Sequence, residues 1–417
     1  MSYLNVVEVE SALAGLAKEY PDITELITLP NKTWEGRTSH VLRIGHDSLH
    51  DGVLFTACQH AREWGGAEIS VYFAADLLEA YTGGTGLTYG GTSFSSWTVQ
   101  AIVDRLSVFV YPCVNPDGRK FDQEHDALWR KNRSPANSGG IPSRIGVDLN
   151  RNQPWLWDFH TAFAPAAQSF GTLASDDPGD LLYHGPSPGS EPEGANIRWL
   201  LDTYRTIGRY LDIHSYTGDL LFTWGDDSNQ TVNPAMNFRN PAYDGQRGVQ
   251  GGYEEYIDPA DLNAIHGIAN RVVNAMKGVR GQSYVAKQSV FLWGNGQVGY
   301  PTSGTVDDYV YSRHQTSCLD GKVLAFTLEF GFPEDDVRTS FHPPWPEMEK
   351  IVVDADAGLV EFCAAALPRW VPPWIVAYRR LWPWEIYGPV AKRFEQVLQP
   401  LLDAIGDLRP RQRSGPS

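Results

Sequence analysis

His60 and Glu63 stand three residues apart in His60-Ala61-Arg62-Glu63, directly after an extended run that ends at Cys58. An imidazole and a carboxylate so spaced at a strand end can point at one ion, and both suit a borderline metal such as zinc. The pair alone is a weak signal, because a chain with 11 His and 50 Asp plus Glu produces such spacings by chance. His214 strengthens it. This residue closes the run Leu211-Asp212-Ile213-His214-Ser215-Tyr216. In open α/β sheets ligands gather at the carboxyl ends of strands, so His60 and His214 are expected to face one crevice.

The elements that must hold these residues can be read as runs. Val6, Val9, Leu13, Leu16 and Ala17 recur at helical spacing, and Val41 to Ile44 and Val53 to Ala57 are rich in β-formers and read as paired strands. Helices are expected over Glu68 to Tyr81, Asn196 to Thr206, Leu262 to Met276 and Met348 to Leu367; strands over Leu106 to Cys113, Arg209 to Ile213 and Val323 to Phe330. This alternation predicts an α/β fold: a single large domain over residues 1–367, with a mixed, mostly buried central β-sheet flanked by helices. Long loops are expected over Gly83 to Ser96, Ser134 to Ile145, Pro154 to Leu181 and Thr217 to Asp261, where walls of a site usually lie. Solvated loop polarity is the expected reading for the Asp and Asn residues of the last segment, with calcium binding the alternative.

Residues 368–417 differ in composition. Trp370, Trp374, Trp382 and Trp384 alternate with prolines, then Val390, Phe394, Val397, Leu398, Leu401 and Ile405 follow helical spacing before a basic tail. A C-terminal Trp/Pro-rich extension is expected, either packed on its own domain or meeting a partner or membrane surface through residues 370–405.

The whole chain of 417 residues is 42% hydrophobic, with 14 Trp, which excludes general disorder. Its 50 acidic against 34 basic side chains give a formal charge of −16, which would repel a phosphate backbone, so nucleic acid is not an expected partner. No stretch approaches the eighteen uncharged apolar residues of a spanning helix. Met1 to Tyr20 carries Glu8, Glu10, Lys18 and Glu19 and reads as no signal peptide, so a cytoplasmic place is expected unless the chain is a processed form. Cys58, Cys113, Cys318 and Cys363 form no CxxC and read as small core residues.

Seven blocks occur in one order: His60 to Trp64, Asn115-Pro116-Asp117-Gly118, Leu128 to Lys131, Gly146 to Asn152, Tyr183-His184-Gly185, His214-Ser215-Tyr216 and Phe326-Thr327-Leu328-Glu329. Together, over about Tyr3 to Leu367, they resemble the zinc metallocarboxypeptidase family of the pancreatic carboxypeptidase A/B type. The resemblance implies one zinc held by His60, Glu63 and His214, with a coordination position left open. It makes Glu329 the general base and Arg130 the stabiliser of the oxyanion. Asn150 and Arg151 become the grip on the substrate's terminal carboxylate, for which a planar guanidinium is suited. Tyr300 becomes the residue that closes over the bound terminus, Arg62 a secondary carboxylate contact, Ser215 and Tyr216 substrate contacts, and Asp148 the acid that orients a zinc-bound imidazole. Seven residues beyond Tyr300, the family's specificity position falls on Asp307, with Asp308 one place away. An acid there resembles the branch that releases Lys or Arg.

The resemblance implies an exopeptidase acting on peptides with a free C-terminus and preferring basic or mixed basic and hydrophobic C-terminal residues. A relative acting on cell-wall peptides at a diamino acid is a second enzymatic reading. A non-catalytic binding module is the third, disfavoured because His60, Glu63, His214, Arg130 and Glu329 all stand in place. Three features depart from the pancreatic pattern: no propeptide precedes the matching region, the disulfide that staples a surface loop in those enzymes has no counterpart among these cysteines, and Thr217 to Asp261 is long.

Overall fold

The computed structural model describes residues 2–46, 51–290, 300–317 and 319–367. Helix α1 (Val6–Glu19) opens with a reciprocal cap: the Asn5 side chain accepts from the Glu8 amide, and the Glu8 carboxylate accepts from the Asn5 amide. The central sheet has eight strands: β1 (Thr24–Thr28), β2 (His40–Ile44), β3 (Asp51–Ala57), β4 (Leu106–Tyr111), β5 (Ile207–Ser215), β6 (Asp219–Phe222), β7 (Val285–Gln288) and β8 (Leu324–Phe330). Their order is β1-β2-β4-β3-β5-β8-β6-β7. Strands β4, β3, β5 and β8 run parallel to one another, while β1, β2 and the β8–β6 pair add antiparallel contacts. The expected mixed, mostly buried sheet is present.

Val41 to Ile44 and Val53 to Ala57 are both strands, but they do not pair: β4 lies between them, antiparallel to β2 and parallel to β3. Parallel pairing needs a long crossover. Helices α2 (Gly65–Gly83) and α3 (Ser96–Arg105) supply it. The segment between them is no loop, since Leu87–Tyr89 and Thr92–Phe94 form a hairpin. Thr217 to Asp261 likewise contains β6 of the main sheet and a short parallel pair, Asn229–Gln230 with Glu255–Tyr256. Its acids are not all solvated, contrary to expectation: Asp226, Asp227 and Glu255 are buried, as are the neighbouring Arg247 and Tyr253.

Helices α4 (Pro116–His125), α5 (Pro192–Thr203), α6 (Pro259–Arg280), α7 (Val306–Thr316) and α8 (Trp345–Ala366) complete the frame. Helices α6 and α8 approach closely at Gly358, where a Cβ would lie 2.8 Å from Met276 Cγ, and are tied by ion pairs Arg271–Glu361 and Arg280–Asp354. Cys58, Cys113 and Cys363 are buried and free; Cys318 lies outside the described residues, as does the expected Trp/Pro-rich extension from residue 368 with its 370–405 surface. Among the described residues no helix is long and apolar enough to cross a membrane.

The N-terminus of α2, which follows Glu63, is held by a buried ion pair. Arg119 on α4 meets Glu68 at 2.8 Å, both side chains fully buried, and the same guanidinium donates to the carbonyls of Trp64 and Leu4. Removing one partner of such a pair leaves an uncompensated buried charge. Arg119→Ala should therefore lower unfolding stability by about 3–5 kcal/mol in denaturant titration; a loss below about 1 kcal/mol would show that Glu68 is satisfied elsewhere.

Candidate functional site

Three neighbouring parallel strands end at one edge of the sheet, and each delivers part of the site. Strand β3 ends at Ala57 and leads into His60 and Glu63; β5 carries His214; β8 carries Glu329 directly opposite His214 in the register. The turn after β3 is stitched rather than loose. Asn115 donates from Nδ2 to the carbonyls of Gln59 and Lys131 at 3.0 Å each, and Ala61 N donates to the Arg130 carbonyl at 3.0 Å. The Asn115-Pro116-Asp117-Gly118 block is thus a brace between the His60 turn and the Arg130 segment, and Asn115 also caps α4.

His60 Nδ1 lies 2.8 Å from Glu63 Oε1, His214 Nδ1 lies 2.9 Å from Glu63 Oε2, and the two Nδ1 atoms are 3.0 Å apart. All three side chains are buried, and they are the only group of three or more His, Cys, Asp or Glu among the described residues whose ligand atoms converge as metal ligands would. The far nitrogens are engaged: His60 Nε2 with Asp148 Oδ1 at 3.2 Å and His214 Nε2 with Asp212 Oδ2 at 2.7 Å. A carboxylate only accepts, so each Nε2 carries a proton; were a cation to replace the inner proton, each ring would turn an Nδ1 lone pair toward it. That donor set fits zinc.

The electrostatics agree. Burial would lower the proton affinity of His214, but Asp212 and Glu63 overcome it and hold the imidazole well above its ordinary pKa. Burial would raise Glu63, yet His60 and His214 hold it well below the carboxylate range. The acids Glu63 and Asp212 thus favour positive charge between the groups, carried by imidazole protons or by a cation that replaces them.

Burial, followed by the charge of Glu63, pushes the Glu329 carboxyl up to about 7, with His214 and Arg130 pulling the other way. Arg130 donates from Nε to Asp148 Oδ2 at 2.9 Å. Asp148, fully buried, would be raised by desolvation but is held far below its ordinary value by Arg130 and His60.

Asn150 N donates to Asp148 Oδ1 at 3.0 Å, and the Asn150 side-chain Oδ1 accepts from Val306 N at 2.8 Å. Buried Arg151 donates to the carbonyls of Asn150 (2.7 Å) and Thr172 (3.2 Å). Arg62 lies 4.3 Å over the Phe341 ring, which Tyr216 meets edge-on at 4.6 Å. Arg62 Nε, Arg151 Nε and Ser215 Oγ are buried with no hydrogen-bond partner, three polar atoms left for a ligand. Tyr300 is exposed.

Asp307 opens α7, buried, with Oδ2 accepting from Ser289 Oγ and Thr327 Oγ1 at 3.2 Å each; desolvation raises its pKa. Thr327 lies two residues before Glu329 on β8 and shares its face. Asp308 is committed elsewhere, to the Gly225 amide through both oxygens and to Thr305 Oγ1. The residue whose part the sequence did not reveal is Asp212. Its signal was there: two residues before His214 on one strand, it must share that residue's face.

The zinc carboxypeptidase (peptidase M14) family profile matches residues 9–356, and the chain belongs to this family. It is 30% identical to carboxypeptidase B of Astacus astacus over 230 residues, which are 55% of this chain and 66% of that protein. It is 25% identical to carboxypeptidase A2 of Rattus norvegicus over 283 residues, which are 68% of this chain and 54% of that one. The chain thus matches between about half and two thirds of these curated relatives' length. The solved structure of carboxypeptidase A from Helicoverpa armigera is similar in fold, with TM-score 0.63 at 23% identity, covering 87% of this chain and 74% of that one. Thrombin-activatable fibrinolysis inhibitor is similar in the same way, with TM-score 0.64 at 20% identity over 88% of this chain and 74% of that one.

Replacing Asp212 with Asn removes the charge behind His214 while keeping its shape. Asp212→Asn should weaken zinc retention about 10- to 100-fold, read by competition with a chromophoric chelator. Unchanged retention would mean that His214 needs no acid behind it.

Proposed function

We propose that this chain is a zinc-dependent exopeptidase that hydrolyses the C-terminal peptide bond of peptides, preferring a terminal Lys or Arg. The observation that carries the reading is the meeting of the His60, Glu63 and His214 donor atoms beside Glu329, with the buried, unpartnered Nε atoms of Arg62 and Arg151 close by in sequence to its parts.

Zinc held by His60, Glu63 and His214 would supply Lewis acidity toward a carbonyl oxygen and bring the pKa of water to about 7. Glu329, poised near neutrality, takes the attacking water's proton and passes it to the leaving amine. Arg130, fixed by Asp148, stabilises the negative charge that develops on the scissile carbonyl oxygen. Asn150 and Arg151 hold the terminal carboxylate, Arg62 gives it a secondary contact, and Tyr300 closes over it. This requirement makes the enzyme an exopeptidase, because an internal residue offers no carboxylate there. Ser215 and Tyr216 line the substrate beside His214, and Asp148 and Asp212 keep the ligand imidazoles in register.

Asp307 receives the departing side chain. Its carboxylate is buried against two hydroxyls and one amide, with no cation in hydrogen-bonding contact among the described residues. A substrate ammonium or guanidinium would supply that charge.

The experiment is release of free amino acids from synthetic peptides by the zinc-loaded protein. Chelation should abolish release and zinc restore it, and Glu329→Gln should lower kcat by about 10²- to 10⁴-fold while zinc stays bound. Full activity in Glu329→Gln would sink the mechanism. Release from muropeptides and from none of the synthetic peptides would favour the cell-wall reading instead.

Asp307→Ile tests the pocket separately: the ratio of kcat/KM for Arg over Leu at the C-terminus should fall by at least about tenfold. A ranking that does not move would place the specificity determinant elsewhere.

A further inference from the structure

Thr172 stands between two parts of the site that meet in space and come from distant stretches of chain. Its main-chain carbonyl accepts from Arg151 Nη2 at 3.2 Å, and its hydroxyl donates to the Pro301 carbonyl at 2.8 Å. The other fixed point of the guanidinium is the Asn150 carbonyl, 2.7 Å from Nη1, and Nε has no partner. One residue therefore aims the arginine with its backbone and holds the residue after Tyr300 with its side chain.

The surroundings make this a register device. Gln153 N donates to the Gly304 carbonyl and Gly304 N to the Trp155 carbonyl, both at 3.0 Å, while Ser303 Oγ donates to the Leu156 carbonyl at 2.6 Å. Residues 301–304 are thereby laid along 153–156. Gly304, at φ +65°, passes so near the arginine that a Cβ would sit 2.2 Å from the Arg151 carbonyl oxygen. On the far side, Leu173, next to Thr172, accepts from Ser303 N at 3.4 Å. The turn is pinned between the Arg151 backbone and the Thr172 strap.

We propose that Thr172 is a positioning residue: it registers the Arg151 guanidinium against the Tyr300-Pro301 turn and so sets affinity for the free terminal carboxylate of the substrate. This rests on the roles given to Arg151 and Tyr300 above. Without the hydroxyl, the Pro301 carbonyl loses its donor and the strap its tether, and the carbonyl that aims the guanidinium is free to drift. A planar fork that bonds two carboxylate oxygens tolerates little misplacement.

The test compares Thr172→Val, Thr172→Ala and Thr172→Ser in the zinc-loaded full chain. Thr172 is half-buried outside any helix or strand, so loss of its methyl, its hydroxyl or both leaves the core intact. In the Val and Ala variants KM for a free-carboxylate peptide should rise about five- to tenfold with kcat held within about twofold, and Ser should restore the parent value. Inhibition by a carboxylate-bearing mimic of the C-terminal residue should weaken in parallel. Inhibition by acetohydroxamate, which is directed at the metal and has no carboxylate, should not change. An unmoved KM in Val and Ala, a Ser variant as impaired as Val, or equal weakening of both inhibitors overturns the proposal. A parent protein inactive on every free-carboxylate peptide overturns the functional reading itself.

Discussion

Two buried carboxylates, Asp148 and Asp212, carry the arrangement on which the rest of the site depends. Each accepts from the far nitrogen of one imidazole and thereby turns the ring's other nitrogen toward Glu63. Without them the rings could rotate or change tautomer, and three converging donor atoms would not stay a coherent set. Asp148 also binds Arg130 Nε and the Asn150 amide, so the same carboxylate fixes His60, Arg130 and Asn150, the residues proposed as metal ligand, oxyanion partner and start of the carboxylate grip. A single buried charge with several donors is costly to isolate and stable when satisfied, which is why the surrounding backbone is built to deliver those donors.

The sheet answers that demand through direction. Because β3, β5 and β8 run parallel and adjacent, their carboxyl ends coincide, and residues distant in sequence come within hydrogen-bonding distance. Strand alternation does the rest. Asp212 and His214 share one face of β5, and Thr327 and Glu329 share one face of β8, so the orienting acid and the pocket wall follow from the same period of two.

Much of this was legible in the sequence, for reasons that differ by residue. Long apolar runs such as Leu106–Tyr111 and Leu324–Phe330 announce buried strands, and the order of short polar blocks identifies the family. Helix α7 was hidden because its inward positions include Asp307, Asp308, Ser312 and Arg313, which bury polar groups and erase the apolar stripe. Helix α4 was hidden in the same way by buried Asp117, Arg119 and Asp122. Strand β6 is four residues long and sits in polar sequence, too brief for alternation to register. The buried acids Asp226 and Glu255 could not be told from solvated loop acids, since their burial depends on Arg247 and Tyr253 folding back over them.

The two halves of the site also rest on unequal foundations. His214 and Glu329 lie on central strands of an eight-stranded sheet, and His60 and Glu63 in the stitched turn that ends β3; the backbone hydrogen bonds of such central strands open only near global unfolding. The carboxylate-side residues Asn150, Arg151, Thr172 and Pro301 belong to irregular segments cross-linked by single hydrogen bonds, the kind of structure that opens locally at much lower free energy. Mild denaturant or heat would therefore loosen the Arg151–Thr172–Pro301 strap before the His60, Glu63 and His214 cluster, and amide exchange would divide the site along that seam: slow through β3, β5 and β8, fast through the strap.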